Sequence, residues 1–176
     1  MGSDGVPVVG VLAHLRAALL RTDTFLDLSD TIGGEALEVF ASTSATIQVF
    51  DRQVRRYRTV SNAGTLARGE ARHPDREVYG FDAYPFSTSA LLRGRPYRAS
   101  LLDPACPPEY REMLERADRV SCLGAPVSVN GRVVVELWLA RDNTVEFDDF
   151  DERLACAVGV LVGRRIEEIP GARLSA

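Results

Sequence analysis

SCLGAPVSVNGRVVVELWLAR, residues 121–141, is the stretch on which the fold turns. Two runs of alternating apolar residues flank Asn130-Gly131, a dipeptide that tolerates the positive φ angles of a two-residue hairpin turn. The stretch therefore predicts a pair of antiparallel strands. Side chains of a strand alternate between faces, so the hairpin sorts into two sets. Leu123, Ala125, Val127 and Val129, with Val133, Val135, Leu137 and Leu139, make an unbroken apolar face that helices must cover. Cys122, Gly124, Pro126 and Ser128, with Val134, Glu136, Trp138 and Ala140, make a face of mixed chemistry.

Working outward, ATIQVFD (45–51) and RRYRTVS (55–61) also alternate and predict two strands joined by a turn at Asp51–Gln53. Ile47 and Val49 extend the apolar face; Thr46, Gln48 and Phe50 extend the mixed one. Arginines at 52, 55, 56 and 58 suit an edge strand guarded by charge against unwanted pairing. RPYRASLLD (95–103) predicts a third strand. Helical spacing predicts a helix over 7–21, with Pro7 in its first turn, and a second over about 23–40, weakened by Gly33-Gly34. STSALLRG (87–94) reads as a short helix with Ser87 as cap and Gly94 as stop, and PPEYREMLERA (107–117) as another. Residues 62–86 show no period and predict an irregular lid.

EFDDFDERLACAVGVLVG (146–163) is acidic in its first half and small and apolar in its second. Asp148, Asp149, Asp151 and Glu152 fit a helix first turn, where negative groups complement the helix dipole. The spacing lacks the D-x-D-x-D-G pattern of a calcium loop. The expected stripe is Phe150, Leu154, Ala157/Val158, Leu161 and Ile169. Leu154–Gly163 is apolar all round and calls for two neighbours. Ala155, Gly159 and Gly163 recur every four residues and permit close backbone approach. From this we expect a homodimer through the N- and C-terminal helices, built from residues 8–20 and 154–166.

At 176 residues, 45% hydrophobic and 26% charged, the chain suits one globular domain. A net charge of −4 and a pI near 5.3 argue against nucleic-acid binding. All 21 basic residues are arginine, which we read as GC-rich coding bias in a bacterium. No leader or run of ~20 apolar residues appears, so no membrane partner is expected and the cytoplasm is the expected location. Cys106, Cys122 and Cys156 are widely spaced and odd in number, and only His14 and His73 accompany them. Neither a disulfide framework nor a metal centre is expected.

The mixed face has no simple explanation as solvent surface or as core. Trp138 and Phe50 are odd in water, and buried Glu136 and Gln48 cost several kcal/mol unless paired. A semi-apolar cavity with a few convergent polar groups resolves both. Expected ligand contacts are Gln48, Glu136 and Trp138 from the sheet and Ser87 and Thr88 from the lid helix, with Tyr84 and Phe86 closing over them. The competing reading pairs Glu136 with a loop arginine and fills the face with the 87–117 helices.

Four blocks, STSATIQVFD, LLRGRPYRASLLD, SCLGAPVSVNGRVVVELWLA and EFDDFDERLACAVGVLVGRRIE, resemble in order and spacing the GAF sensory-domain family, over about residues 20–168. The resemblance implies an α+β, three-layer α/β/α fold. Its central antiparallel sheet has five or six strands in the order 2-1-5-4-3, with terminal helices on one face and a ligand cavity on the other. It divides the chain into an N-terminal dimerisation helix (1–22), the GAF-like domain (23–169) and a disordered tail (170–176). The family's cyclic-nucleotide subset carries Asn-Lys, then Phe, three residues and Asp-Glu. Phe147, Asp151 and Glu152 match, but Arg141-Asp142 replaces Asn-Lys, so Arg141 is expected to pair with Asp151 as a structural bridge. Bilin carriers place His after a Cys, whereas Cys106 precedes Pro107-Pro108. His73 is the sole candidate for a haem ligand, and no cofactor is expected.

The reading that follows is a non-catalytic module that couples an unknown small-molecule effector to a helical dimer interface or a signalling protein partner. Two alternatives stand beside it: a scaffold with no ligand, and a cysteine-dependent reductase of free methionine sulfoxide. Against the reductase, Cys156 falls on the closing helix and Cys122 in a strand.

Overall fold

The computed structural model describes residues 8–172; Pro7 and residues 173–176 of the expected tail lie outside them. The hairpin forms as β5 (Ser121–Val129) and β6 (Arg132–Arg141). It turns through Asn130 and Gly131 at φ of 51° and 74°, both left-handed, as its turn type requires. β1 (Ser44–Asp51) lies antiparallel to β6, β2 (Arg56–Gly64) to β1, and β4 (Tyr97–Ser100) to β5.

One more strand, β3 (Val78–Gly80), completes a six-stranded sheet of order β3-β2-β1-β6-β5-β4. This is the expected order with one edge strand added from the segment expected to be irregular. β3 pairs with Arg56–Arg58, so the arginine-rich end of β2 is covered rather than left as a sheet edge. Three residues are too few for a period to register in sequence, which is why β3 escaped notice.

One face is covered by α1 (Val8–Leu19), α2 (Phe25–Val39) and α5 (Asp149–Glu168). Leu15, Leu28 and Ile32 meet Ile47, Leu123, Leu137 and Leu139 there, with Leu154, Val158 and Val162 from α5. The other face carries α3 (Pro85–Leu92) and α4 (Pro108–Arg116). A second core of Phe50, Tyr57, Phe81, Leu91 and Leu114 forms beneath them.

Strand parity is interrupted at two bulges: Ile47 pairs with Ser61 but Gln48 with Thr59, leaving Val60 unmatched in β2, and the hairpin carries the other. Val127 pairs with Val135 but Ser128 pairs with Val133, leaving Val134 unmatched. Val134 therefore joins the helix-side core and Val133 the opposite one, the reverse of the expected assignment. Glu136 and Trp138 lie past the hairpin bulge and keep the mixed face.

The small residues of α5 seat that helix on the sheet. A Cβ on Gly159 would lie 2.5 Å from the Pro126 carbonyl oxygen, and one on Gly163 still closer to that of Ser128. Their close approach is to β5 of the same chain, not to another helix. The buried face of α5 runs through Leu154, Ala155, Val158, Val162 and Ile166. Phe150, expected in this stripe, is instead 48% exposed. The acidic start is used structurally. Asp148 accepts from the Phe150 and Asp151 N–H groups, and the Asp151 carboxylate accepts from the Asp148 N–H at 3.1 Å, a reciprocal cap. Asp149 and Glu152 both pair with Arg98, at 2.8 Å. Arg141 reaches Asp151 at 3.3 Å, as expected. It also donates to the carbonyls of Phe40 and Glu146 and lies 4.0 Å over the Phe147 ring.

α3 begins two residues before the expected cap, with Pro85 in the first turn, where its missing N–H costs nothing. Ser87 is thus an interior, buried residue of the helix.

Candidate functional site

Between the mixed face, α3, α4 and the segment 66–77 lies a cavity of about 710 Å³, within the range typical of small-molecule sites. Thr46 and Gln48 from β1, Tyr57 and Asn62 from β2, and Glu136 and Trp138 from β6 line it on the sheet side. Tyr97 enters from β4, Tyr110 and Met113 from α4, Tyr84 and Ser87 from the start of α3, and Tyr79 from β3. All five tyrosines and the single tryptophan of the chain thus meet around one space.

Three hydrogen-bond chains organise the lining. Tyr110 donates to the Tyr97 hydroxyl at 2.9 Å, and Tyr97 donates to Glu136. Gln48 donates to Thr59 at 3.1 Å, and the hydroxyls of Thr59 and Tyr79 both donate to Glu77, each at 3.0 Å. Thr46 donates to the Asn62 side-chain Oδ1 at 2.7 Å, while the Asn62 Nδ2 donates to the Ala71 backbone carbonyl at 2.9 Å. The last chain ties the roof to the sheet. A second tie runs to the helix layer, where His73 meets Asp30 of α2 at 2.8 Å. Arg119 anchors the base of the roof, donating to the carbonyls of Thr65, Ala117 and Asp118 and to the Ser44 hydroxyl.

Electrostatically the floor is unusual. Glu136 is 2% exposed. Burial pushes its carboxyl up to about 7, against a smaller opposing effect of the Tyr97 hydrogen bond. The competing expectation, an arginine partner for Glu136, is not met: no ion pair among the described residues includes it. Burial also raises every tyrosine hydroxyl above its ordinary value. They stand as neutral hydroxyls, Tyr97 donating to Glu136 and Tyr79 to Glu77.

Of the residues expected from the sequence, Gln48, Tyr84, Ser87, Glu136 and Trp138 line the cavity. Thr88 does not. It sits behind the wall, where its hydroxyl donates to the Phe81 carbonyl at 3.1 Å and bonds the Tyr57 hydroxyl at 2.8 Å. Phe86 does not either. It lies outside, 39% exposed, edge-on to Tyr97 and Tyr110. Starting α3 at Pro85 rotates both residues away from their expected positions.

The GAF domain family model matches residues 15–166. The chain belongs to the GAF domain family. Members are generally sensory or regulatory modules. The fold is shared with the GAF domain of a phosphoenolpyruvate-protein phosphotransferase from Coxiella burnetii, at 14% identity and a TM-score of 0.76, covering 94% of this chain and 96% of that one. It is shared with the GAF domain of an Acinetobacter phosphoenolpyruvate-protein phosphotransferase at 13% identity and a TM-score of 0.73, covering 96% of each. The chromophore-binding domain of a Stigmatella aurantiaca bacteriophytochrome aligns at 12% identity and a TM-score of 0.76, over 94% of this chain and 62% of that one. No curated protein matches the chain in sequence.

Within this GAF domain, Tyr57, Tyr79, Tyr97, Tyr110, Asn62 and Glu77 are among the lining residues that sequence reasoning missed. Tyr57 and Tyr97 were legible, since each precedes an arginine in an expected strand and alternation assigns it a face. Tyr110 and Glu77 reach the site through tertiary placement alone. None of the three cysteines lines the cavity, and burial raises each thiol above its ordinary value.

Proposed function

We propose that this GAF domain is a non-catalytic sensory module that takes a small-molecule effector into the cavity over the mixed face of its sheet. The observation that carries this reading is the convergence of all five tyrosines and Trp138 on one space of about 710 Å³ floored by a buried carboxylate. Amphipathic rings with a few oriented polar groups suit recognition of a compact organic molecule. Cysteine chemistry has no comparable support, because the thiols lie elsewhere and are held in their unreactive form.

The output in this reading is a change in the helix layer, read by a second copy of the chain or by a signalling partner. The roof is tied to α2 through His73 and Asp30, and α2 meets α1. A ligand transmits a signal only by preferring one arrangement of these parts over another.

Trp138 is the only tryptophan, so its fluorescence reports the cavity. Native mass spectrometry of freshly purified protein, with fluorescence titration of a metabolite panel, tests the reading. A co-purifying small molecule, or panel compounds that shift Trp138 emission and raise the melting temperature, is the expected result. A ligand-free mass with no responding compound would leave a scaffold.

A further inference from the structure

Resting on the reading of this cavity as a small-molecule site, we propose that its ligand carries a cationic nitrogen (a protonated amine, amidine or guanidine) that donates to Glu136 between the tyrosine rings. Glu136 is 2% exposed and, among the described residues, accepts one hydrogen bond, from Tyr97. Four arginines line the same cavity and none is paired with Glu136: Arg68 and Arg76 are exposed residues of the roof segment. Arg119 spends its donors on backbone carbonyls and the Ser44 hydroxyl, and Arg116 faces Glu112 at 3.7 Å. A buried carboxylate without a cation is costly, and the same carboxylate with one is favourable when the geometry is tight. The described residues place no cation on Glu136; a ligand supplies it.

The surroundings favour the same sign. Tyr97 and Tyr110 lie edge to face with centroids 5.5 Å apart, and Tyr84 stands 5.8 Å from Tyr110. Aromatic faces attract cations, the more so where water is excluded. An anionic group on this floor would meet the Glu136 charge directly.

Binding of a cation then competes with protonation of Glu136. The titratable groups facing Glu136 are Tyr57 from β2, Tyr97 from β4, Tyr110 from α4 and Cys122 from β5, and burial raises all of them. None takes up or releases a proton near neutrality. Glu136 itself titrates at about 7, so affinity for a cation rises with pH through that value and falls by up to about tenfold per pH unit below it.

The test uses matched probes: benzylamine against benzyl alcohol and benzoate, and benzamidine against benzamide, followed by Trp138 fluorescence and thermal shift at about pH 8 and about pH 5.5. The expected result is that the amine and amidine bind at least about tenfold tighter than their neutral partners at the higher pH. That preference should shrink at the lower pH and vanish in Glu136→Gln. Circular dichroism of the variant confirms its fold, and the pH series on the unaltered protein stands without it. Tighter binding of benzoate or of the neutral probes would overturn the proposal while leaving the cavity a small-molecule site. So would a cation preference that survives Glu136→Gln or ignores pH. A panel that moves neither readout would overturn it, while the sensory reading is decided separately by the native mass and the metabolite titration.

Discussion

The Tyr97 hydroxyl donates to Glu136 across a strand that separates them. β5 lies between β4 and β6, and Tyr97 is paired with Gly124 of that strand. The tyrosine ring crosses over Gly124 to reach the acid, in the space a Cβ would occupy: one placed there would lie 2.6 Å from the Glu136 Oε1 and closer still to the ring. The glycine is therefore what allows an aromatic donor to bridge to a carboxylate on the next strand but one.

Glu136 should give the unliganded protein a distinctive pH response. Its carboxyl is raised from 4.5 to about 7 on folding, so the folded state holds the proton more tightly than the unfolded chain. The contribution is fully present below the unfolded value and is lost as pH rises through the folded one. Urea melts of the wild type compared with Glu136→Gln should show the wild type losing on the order of 3 kcal/mol relative to the variant between about pH 4 and pH 8. A flat difference would disprove the raised carboxyl.

Two glycine-to-alanine changes should move stability in opposite directions. Gly159→Ala drives a methyl into the Pro126 carbonyl and should cost about 1–3 kcal/mol. In contrast, a Cβ at Gly34, also helical, meets nothing within 4 Å. Gly34→Ala should add about 0.5–1 kcal/mol by restricting the unfolded chain. Thermal melts of the pair decide the matter.

Removing the Arg141 guanidinium leaves Asp151 and the Phe40 carbonyl without their partner. Arg141→Met should destabilise the domain by about 3 kcal/mol. Arg141→Lys should restore little, because an ammonium supplies neither the planar fork nor the same stacking on Phe147. Full rescue by lysine in chemical denaturation would contradict this account.

Asn62 holds the roof from below, with Thr46 on one side of its amide and Ala71 on the other. Asn62→Ala should cost about 1–3 kcal/mol. It should also expose the arginine-rich segment 66–76 to trypsin before global unfolding. Cleavage at Arg68, Arg72 or Arg76 that is no faster than in the wild type would show that the roof is held elsewhere.

The site was less legible than the fold, for reasons visible at single residues. Parity placed Glu136 and Trp138 correctly because both lie on the far side of the bulge at Val134 from the turn. It misassigned Val133 and Val134 because a bulge leaves no mark in an apolar run. Phe86 and Thr88 were misplaced because Pro85 opens α3 two residues before the serine that resembles a cap. The glycines of α5 announced a close approach but not its partner, since a carbonyl of β5 and a second helix make the same demand for small residues.

What the sequence determined by itself was periodic or local: strand faces, the Asn130-Gly131 turn and the acidic start of α5. Each depends on neighbours a few residues apart or on alternation repeated along a strand. Only the tertiary structure decided which rings gather over Glu136, that β3 extends the sheet, and that no arginine among the described residues pairs with the floor. These depend on the distance between segments far apart in the chain, where packing and chain entropy, rather than local propensity, select the partner.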